Sequence, residues 1–320
     1  MDRPGAVAEL RAVVARFARD HAAGEDRWCV ALSGGPDSLA LTAAAATVMP
    51  TTALIVDHRL QPDSASVAAT ARDQALALGC VRAEVLGVEV GTTGGPEAAA
   101  RAARYRALDD AREGAAVLLA HTLDDQAETV LLGLARGAGA TSLQGMAAGA
   151  DLDGVRLLRP LLDVRRTTTR TACAAEGLDP WDDPHNADPR FARVRVREKV
   201  LPVLEAELGP GIAEALARTA AQLREDADAF DEMIDETIED IVEHAEAGIS
   251  VSVAALAANP AALRNRIIRH VVASEFHQSL ARSQTLEVAR LVTDWSGQGP
   301  IDLPGCRARR VGGRIEFTAR

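Results

Sequence analysis

The stretch Ala31-Leu32-Ser33-Gly34-Gly35-Pro36-Asp37-Ser38 follows an apolar run, Trp28–Leu32, and opens a helical run, Ser38–Val48. Two adjacent glycines let a backbone turn sharply and come close to a ligand. Amides at such a turn and at the following helix N-terminus face an anion, and the Ser33 and Ser38 hydroxyls add donors. No lysine follows the glycines, so this is not a GxxxxGK phosphate loop. Asp37 would repel a bound phosphate unless a cation lay between them, so Mg²⁺ at Asp37 is expected.

Outward from that junction, short β-rich runs alternate with helical ones. The expected strands are Trp28–Leu32, Ala53–Asp57, Ala83–Val88, Val117–Ala120 and Arg156–Leu158. The expected helices are Ser38–Val48, Ser64–Leu78, Pro96–Glu113, Asp124–Ala135 and Val164–Glu176. Continuous apolar strands separated by helices imply a parallel sheet covered on both faces. Right-handed crossovers then give a doubly wound α/β fold. Ligands in such folds sit beyond the carboxyl ends of the strands, which selects Ser33–Ser38, Asp57–His58 and His121–Glu128. The first twenty residues read as an amphipathic helix.

Past Asp179–Pro189, a proline- and aspartate-rich loop, the pattern changes. From Glu214 to His244 apolar residues recur at spacings of three and four, predicting one long amphipathic helix. Helices are also expected over Arg264–Phe276 and Ser283–Val292. Short strands are expected at Ile301–Pro304 and Arg307–Thr318, turned by Gly312-Gly313. The predicted division is 1–208 for the doubly wound domain that carries the candidate ligand-binding segments and 209–320 for a smaller, mainly helical domain with short terminal strands.

Net charge is −11, which by itself argues against a nucleic-acid partner. Its distribution makes the overall charge a poor guide. Residues 211–250 hold twelve carboxylates against Arg218 and Arg224, a balance of −10, so the rest of the chain is at −1. Basic clusters stand outside that segment: Arg190, Arg193, Arg195, Arg197 and Lys199; Arg264, Arg266 and Arg269; Arg307, Arg309, Arg310 and Arg314. Cys29, Cys80, Cys173 and Cys306 form no CxxC pair, which disfavours cysteine-based metal sites and a disulfide framework. No run approaches the roughly 20 apolar residues of a membrane span. No apolar leader is evident, so a cytoplasmic location is expected.

Four further segments carry candidate chemistry. Ile55–Leu60, IVDHRL, ends the second strand and presents Val56 and His58. Glu97–Tyr105, EAAARAARY, sets Arg101 and Arg104 on a polar helix face, where Arg104 can balance phosphate or substrate charge. In Ala120–Gly139, AHTLDDQAETVLLGLARGAG, His121 can contact phosphate or relay a proton. Asp125 and Glu128, three apart on one face, can receive an ammonium group. Asp182–Pro202, DDPHNADPRFARVRVREKVLP, carries a basic face with Arg193 and Arg197. Each has a bland alternative: a strand-end turn, an exposed ion-pair ladder, helix-dipole partners, a solvated basic helix.

The SGGxDS loop resembles that of the PP-loop ATP pyrophosphatases, which cleave ATP between the α- and β-phosphates and adenylate an acceptor. The His121–Gly139 block is similar to the AHHxDDQxET…RG.G element of tRNA(Ile)-lysidine synthetases, with Thr122 where a second histidine is frequent. IVDHRL resembles a VDHxL element of one branch of the superfamily, and the Glu97 helix its E-A-x-A-R-x-x-R-Y. Asp182–Pro202 resembles DPSN…RN..R….P; aligning Asn186 and Pro202 puts Arg193 and Arg197 on the two arginines, with Val194 where asparagine is usual. Arg159-Pro160-Leu161-Leu162 matches RPLL. The matches are collinear from about residue 27 to 203.

The resemblance implies a ligase that joins free L-lysine to C2 of the wobble cytidine of tRNA(Ile) with a CAU anticodon. The reaction passes through an adenylated cytidine and releases pyrophosphate and AMP. It implies ATP and Mg²⁺ as cofactors, with Asp37 as the magnesium ligand. Asp37, Arg104, His121, Asp125 and Glu128 are implied as catalytic residues, and Ser33, Gly34, Gly35, Pro36, Asp37, Ser38, Val56 and His58 as nucleotide-binding residues. Asp125, Glu128, Arg193 and Arg197 are implied as contacts to lysine or tRNA. Longer members carry an additional C-terminal domain, so the chain looks like a short form; a helical second domain leaves a homodimer open. Three alternatives stay open: a thiolating tRNA enzyme, a small-molecule amide ligase, and a catalytically silent nucleotide- or tRNA-binding module.

Overall fold

The structure, a computed structural model, describes residues 5–59, 63–91, 95–137, 139–152, 154–245 and 248–320. Leu60, the end of the IVDHRL element, and the Glu97 side chain lie outside what is described. The chain divides into two compact units, Met1–Leu223 and Arg224–Arg320.

The first unit runs through α1 (Ala6–His21), β1 (Trp28–Ala31), α2 (Pro36–Ala46), β2 (Thr51–Asp57), α3 (Ser64–Ala77), β3 (Arg82–Gly87) and α4 (Pro96–Ala111). It continues with β4 (Ala116–Leu118), α5 (Leu123–Ala135), α6 (Ala140–Leu143), β5 (Gly149–Leu152), β6 (Val155–Leu158) and α7 (Arg166–Ala175). Among the described residues its six strands are ordered β3-β2-β1-β4-β6-β5. All neighbours pair in parallel except β5, which runs antiparallel on the edge. The expected doubly wound sheet is therefore present.

Strand alternation sends side chains to two apolar layers. Trp28, Val30, Ala53, Ile55 and Leu118 pack with residues of α1, α2, α3 and α7. Cys29, Leu54 and Val117 pack on the other side with Tyr105 and Leu108 of α4. The indole of Trp28 satisfies its buried N–H on Thr51 Oγ1 at 2.7 Å, across the β1–β2 pairing. Strand order reverses between β1 and β4, and both strands deliver their carboxyl ends to one crevice. Such a switch point is where an open α/β sheet binds ligands.

After a 3₁₀ turn (Pro184–Ala187), α8 (Ala192–Arg195) passes through a π-helical turn (Val196–Val200) into α9 (Leu201–Leu208). Helix α10 (Ile212–Ile241) then leads into the second unit. That unit continues with β7 (Val242–Ala245), β8 (Gly248–Ser252), α11 (Val253–Ala258), α12 (Ala261–Phe276), α13 (Arg282–Thr293), β9 (Ile301–Leu303), β10 (Cys306–Val311) and β11 (Arg314–Ala319). The terminal strands read from the sequence belong to a larger antiparallel sheet, β7-β8-β11-β10-β9. Ile234, Ile267, Val271, Leu256, Ile315 and Phe317 form its separate core. No helix among the described residues is long and apolar enough to cross a membrane.

Candidate active site

The loop after β1 is held by its own hydroxyls. Ser33 N donates to Ser38 Oγ at 3.2 Å, the two hydroxyls lie 3.0 Å apart, and Ser38 Oγ donates to Gly35 O at 3.0 Å. Gly34 has φ +83°, a conformation open to glycine and strained for other residues. Its carbonyl accepts from Trp181 N at 2.9 Å, which ties the Asp179–Pro189 loop onto the turn. Pro36 occupies the first turn of α2, where its missing N–H costs nothing. The first-turn amides of Asp37 and Ser38 have no intrahelical acceptor and are available to an anion.

Beside this loop, at the ends of β1 and β2, lies a cavity of about 210 Å³. Its walls include Leu32, Ile55, Val56 and Trp181, and its polar groups include Ser33, His58, Arg104 and His185. Arg104 Nη2 and His58 Nε2 are 3.4 Å apart. Burial, and then the neighbouring Arg104, lower the His58 pKa, so the ring is a neutral acceptor.

Across the crevice, α5 begins with Thr122 as its cap. Asp125 N donates to Thr122 Oγ1 at 3.4 Å, and Asp125 Oδ2 accepts from Thr122 N at 2.9 Å and from its hydroxyl at 2.8 Å. This reciprocal capping box gives Thr122 a defined part where the resembling family often has histidine. Val194, which stands where asparagine is usual, is buried.

Glu128 has 0% exposure, and its carboxylate is surrounded by three guanidiniums. Arg197 Nε donates to it at 2.7 Å, Arg193 Nε at 2.8 Å and Arg166 Nη1 at 3.2 Å. Arg166 also donates to Asp125 Oδ1 at 2.9 Å and stands 3.5 Å from Asp37 Oδ2. From the sequence, Glu128 is expected to receive an ammonium group, and Arg193 and Arg197 to contact substrate. Here all three are engaged with one another, because a carboxylate without solvent needs paired charge. Arg193 and Arg197 still keep part of their side chains exposed.

Arg166 is the central residue that pattern reasoning missed. It stands at the start of α7, and its partners lie at 37, 125 and 128, so only the fold brings them together. Thr169 was also missed; its hydroxyl donates to Asp37. Burial raises the Asp37 pKa, opposed by Thr169 and Arg166 and reinforced by the nearby Asp125 charge. Burial also acts to raise Asp125, but Arg166 and the Thr122 donors outweigh it and hold that carboxyl below its usual range. His121 is pushed down to about 4, first by burial and then by Arg159, Arg193 and Arg101 against the pull of Asp125. Its Nδ1 is buried without a hydrogen-bond partner among the described residues.

Among the described residues no three His, Cys, Asp or Glu side chains gather as a metal cage. Mg²⁺, however, is commonly held by one or two carboxylates, with phosphates and water completing its shell. Asp37, partly exposed beside the phosphate loop, fits that pattern as a single carboxylate.

The PP-loop domain family matches residues 8–204, and the family described as the TilS substrate binding domain matches residues 252–316. A tRNA(Ile)-lysidine synthase of Leifsonia xyli subsp. xyli is 58% identical over 297 residues, covering 90% of this chain and 88% of that protein. One from Mycobacterium bovis is 56% identical over 301 residues, covering 94% and 92%. The chain belongs to the tRNA(Ile)-lysidine synthase family. It is therefore a ligase with an ATP-binding PP-loop domain. Among solved structures, the U34-tRNA thiolase NcsA from Methanococcus maripaludis is similar in fold, with a TM-score of 0.55 at 18% identity, covering 69% of this chain and 80% of that one. All four cysteines of this synthase-family chain are buried, and burial raises the Cys29, Cys80 and Cys173 thiols to about 11.

Proposed function

We propose that this protein joins free L-lysine to C2 of the wobble cytidine of tRNA(Ile) with a CAU anticodon, using ATP. The observation that carries the reading is the sharing of Arg166 between Asp37 of the phosphate loop and Asp125 and Glu128 of α5. One charge network thus joins the place where a nucleotide's phosphates bind to the place where an amine can be held.

The adenosine occupies the cavity beside Val56 and His58, and the phosphates lie on the Ser33–Ser38 loop. The C2 carbonyl oxygen of cytosine attacks the α-phosphorus and pyrophosphate leaves. Loop amides, the Ser33 and Ser38 hydroxyls and Arg104 counter the charge that develops. Bound Mg²⁺, held by Asp37, would supply further charge neutralisation at the phosphates. In the second step the ε-amine of lysine attacks C2 and AMP leaves. Asp125, kept ionised by Arg166, receives the lysine ε-ammonium, which loses one proton by way of Asp125 to solvent before the neutral amine attacks. Glu128 acts at one remove by fixing Arg166, Arg193 and Arg197. His121, neutral at physiological pH, accepts a hydrogen bond or proton from the attacking amine. The cytidine leaves the anticodon stack to reach this site, and Arg193 and Arg197 present their exposed surface to the entering strand. Action on a tRNA supports a cytoplasmic location for this chemistry.

The test is incubation with ATP, labelled lysine and transcripts of tRNA(Ile) with a CAU anticodon or of methionine tRNA. Label should enter only the isoleucine transcript, with one AMP released per lysine. ATP–pyrophosphate exchange without any tRNA would overturn the reading in favour of a small-molecule ligase.

A further inference from the structure

The second unit is rich in arginine, but its arginines are not equivalent. On the sheet they are engaged locally. Arg307 Nε lies 2.8 Å from Asp302 Oδ1, Arg309 Nη2 lies 2.8 Å from Glu316 Oε2, and Arg314 Nη1 lies 3.0 Å from Glu243 Oε1. Arg310 donates to Leu291 O at 2.8 Å and stacks over Trp295 at 5.3 Å. Three of the four arginines in this C-terminal cluster are thus neutralised by carboxylates of their own sheet.

Arg266, Arg269 and Arg282 differ. Arg266 and Arg269 are one turn apart on α12, so they share a face, and Arg282 opens α13. Arg266 is fixed by the Phe230 ring, 4.6 Å from its Cζ, and its nearest carboxylate, Asp231, is at 3.8 Å. The side chains of Arg269, on α12, and Arg282, on α13, make no hydrogen bond and no ion pair among the described residues. Burial, and then the Arg266 and Arg282 charges, push the half-buried Arg269 below its ordinary value. Arg266 has Asp231 as a counter-charge, but Arg269 and Arg282 have none, and like charges so placed are a standing electrostatic cost in the free protein. An anion bridging them would remove it, and guanidiniums suit phosphate oxygens bidentately.

We propose that Arg266, Arg269 and Arg282 form a phosphate-binding patch that takes the sugar–phosphate backbone of an RNA, on α12 and the start of α13. The inference rests on the tRNA-modifying reading above and deepens it by choosing which arginines of the second unit meet the RNA. Backbone contacts of this kind set position and salt dependence and carry no base preference. The patch therefore adds affinity for tRNA without touching the lysine or ATP sites.

The test uses the full chain and a labelled tRNA(Ile) transcript, with binding measured by fluorescence anisotropy across a salt series. The double variant Arg269→Gln/Arg282→Gln should weaken binding about tenfold at physiological salt and lower the salt slope by about 2, near one per lost phosphate contact. ATP affinity and the rate at saturating tRNA should not change. Arg282→Gln alone, at an exposed position, should give about half the change in slope and guards against misfolding at Arg269. Arg307→Gln should leave affinity and slope as in the wild type. If the wild type binds tRNA and the double variant binds with equal affinity and slope, the patch is overturned. If the Arg307 variant loses as much, the selection of this trio is overturned. If the wild type binds no tRNA, the reading on which the patch rests fails, and the patch with it.

Discussion

At Glu128, a fully buried carboxylate faces three arginines with no water to share the charge. Glu128→Ala would leave Arg166, Arg193 and Arg197 gathered around an uncompensated hole. Breaking a buried ion pair from one side costs about 3–5 kcal/mol, so urea unfolding should show a loss of that size. Glu128→Gln keeps the shape but not the charge and should recover only a minor part. A full recovery would mean that shape, not charge, holds the three arginines. His121 poses the complementary case. Its folded pKa of about 4 lies below the ordinary 6.5. Folding therefore favours the neutral ring, and the unfolded chain binds more protons between those values. The stability this provides is complete above about pH 6.5 and is lost as pH falls toward 4. The window spans about 3 kcal/mol. His121→Asn should flatten the wild-type fall between pH 6.5 and 4 by roughly that amount, read as the difference between two unfolding series; parallel series would show that His121 does not titrate as described.

At the scale of elements, the capping box of α5 decides where Asp125 points. Thr122 supplies both a donor pair to Asp125 and the acceptor for its amide. Thr122→Ala should cost about 1–2 kcal/mol, the usual loss for a threonine cap. It should also free the Asp125 carboxylate, raising the KM for lysine more than that for ATP; an unchanged ratio of the two would sever the cap from the amine site. The expected strands and helices of the first unit all appear, with ends shifted by a few residues. They are legible because each combines an apolar run or stripe with a glycine, proline or small-residue boundary. Edge strand β5, Gly149–Leu152, carries no such pattern, since its residues alternate between half-buried and exposed. Strands β7 and β8 were missed for another reason: β7 continues directly from α10 in an acidic run, and only pairing with distant β11 makes that sheet. The phosphate loop and the carboxylates of α5 could be read locally. Arg166 could not, because its three partners are 129, 41 and 38 positions away.

At the scale of the whole molecule, the two units have separate apolar cores, one built around Trp28, Leu39 and Leu118, the other around Ile267, Val272 and Phe317. The phosphate loop, the cavity beside it and the Arg166 network all belong to the first. A nucleotide that binds only folded protein stabilises what it touches by RT ln(1 + [L]/Kd), about 2.7 kcal/mol at a hundredfold excess over Kd. Calorimetry with a non-hydrolysable ATP analogue should therefore raise one unfolding transition by several degrees and leave the second in place. A tRNA transcript should raise the second, since the patch on α12 and α13 lies in that unit, and the Arg269→Gln/Arg282→Gln variant should lose that shift while keeping the nucleotide shift. If the analogue moves both transitions together, the units unfold as one cooperative body, and nucleotide and RNA binding are then linked through the stability of the whole chain.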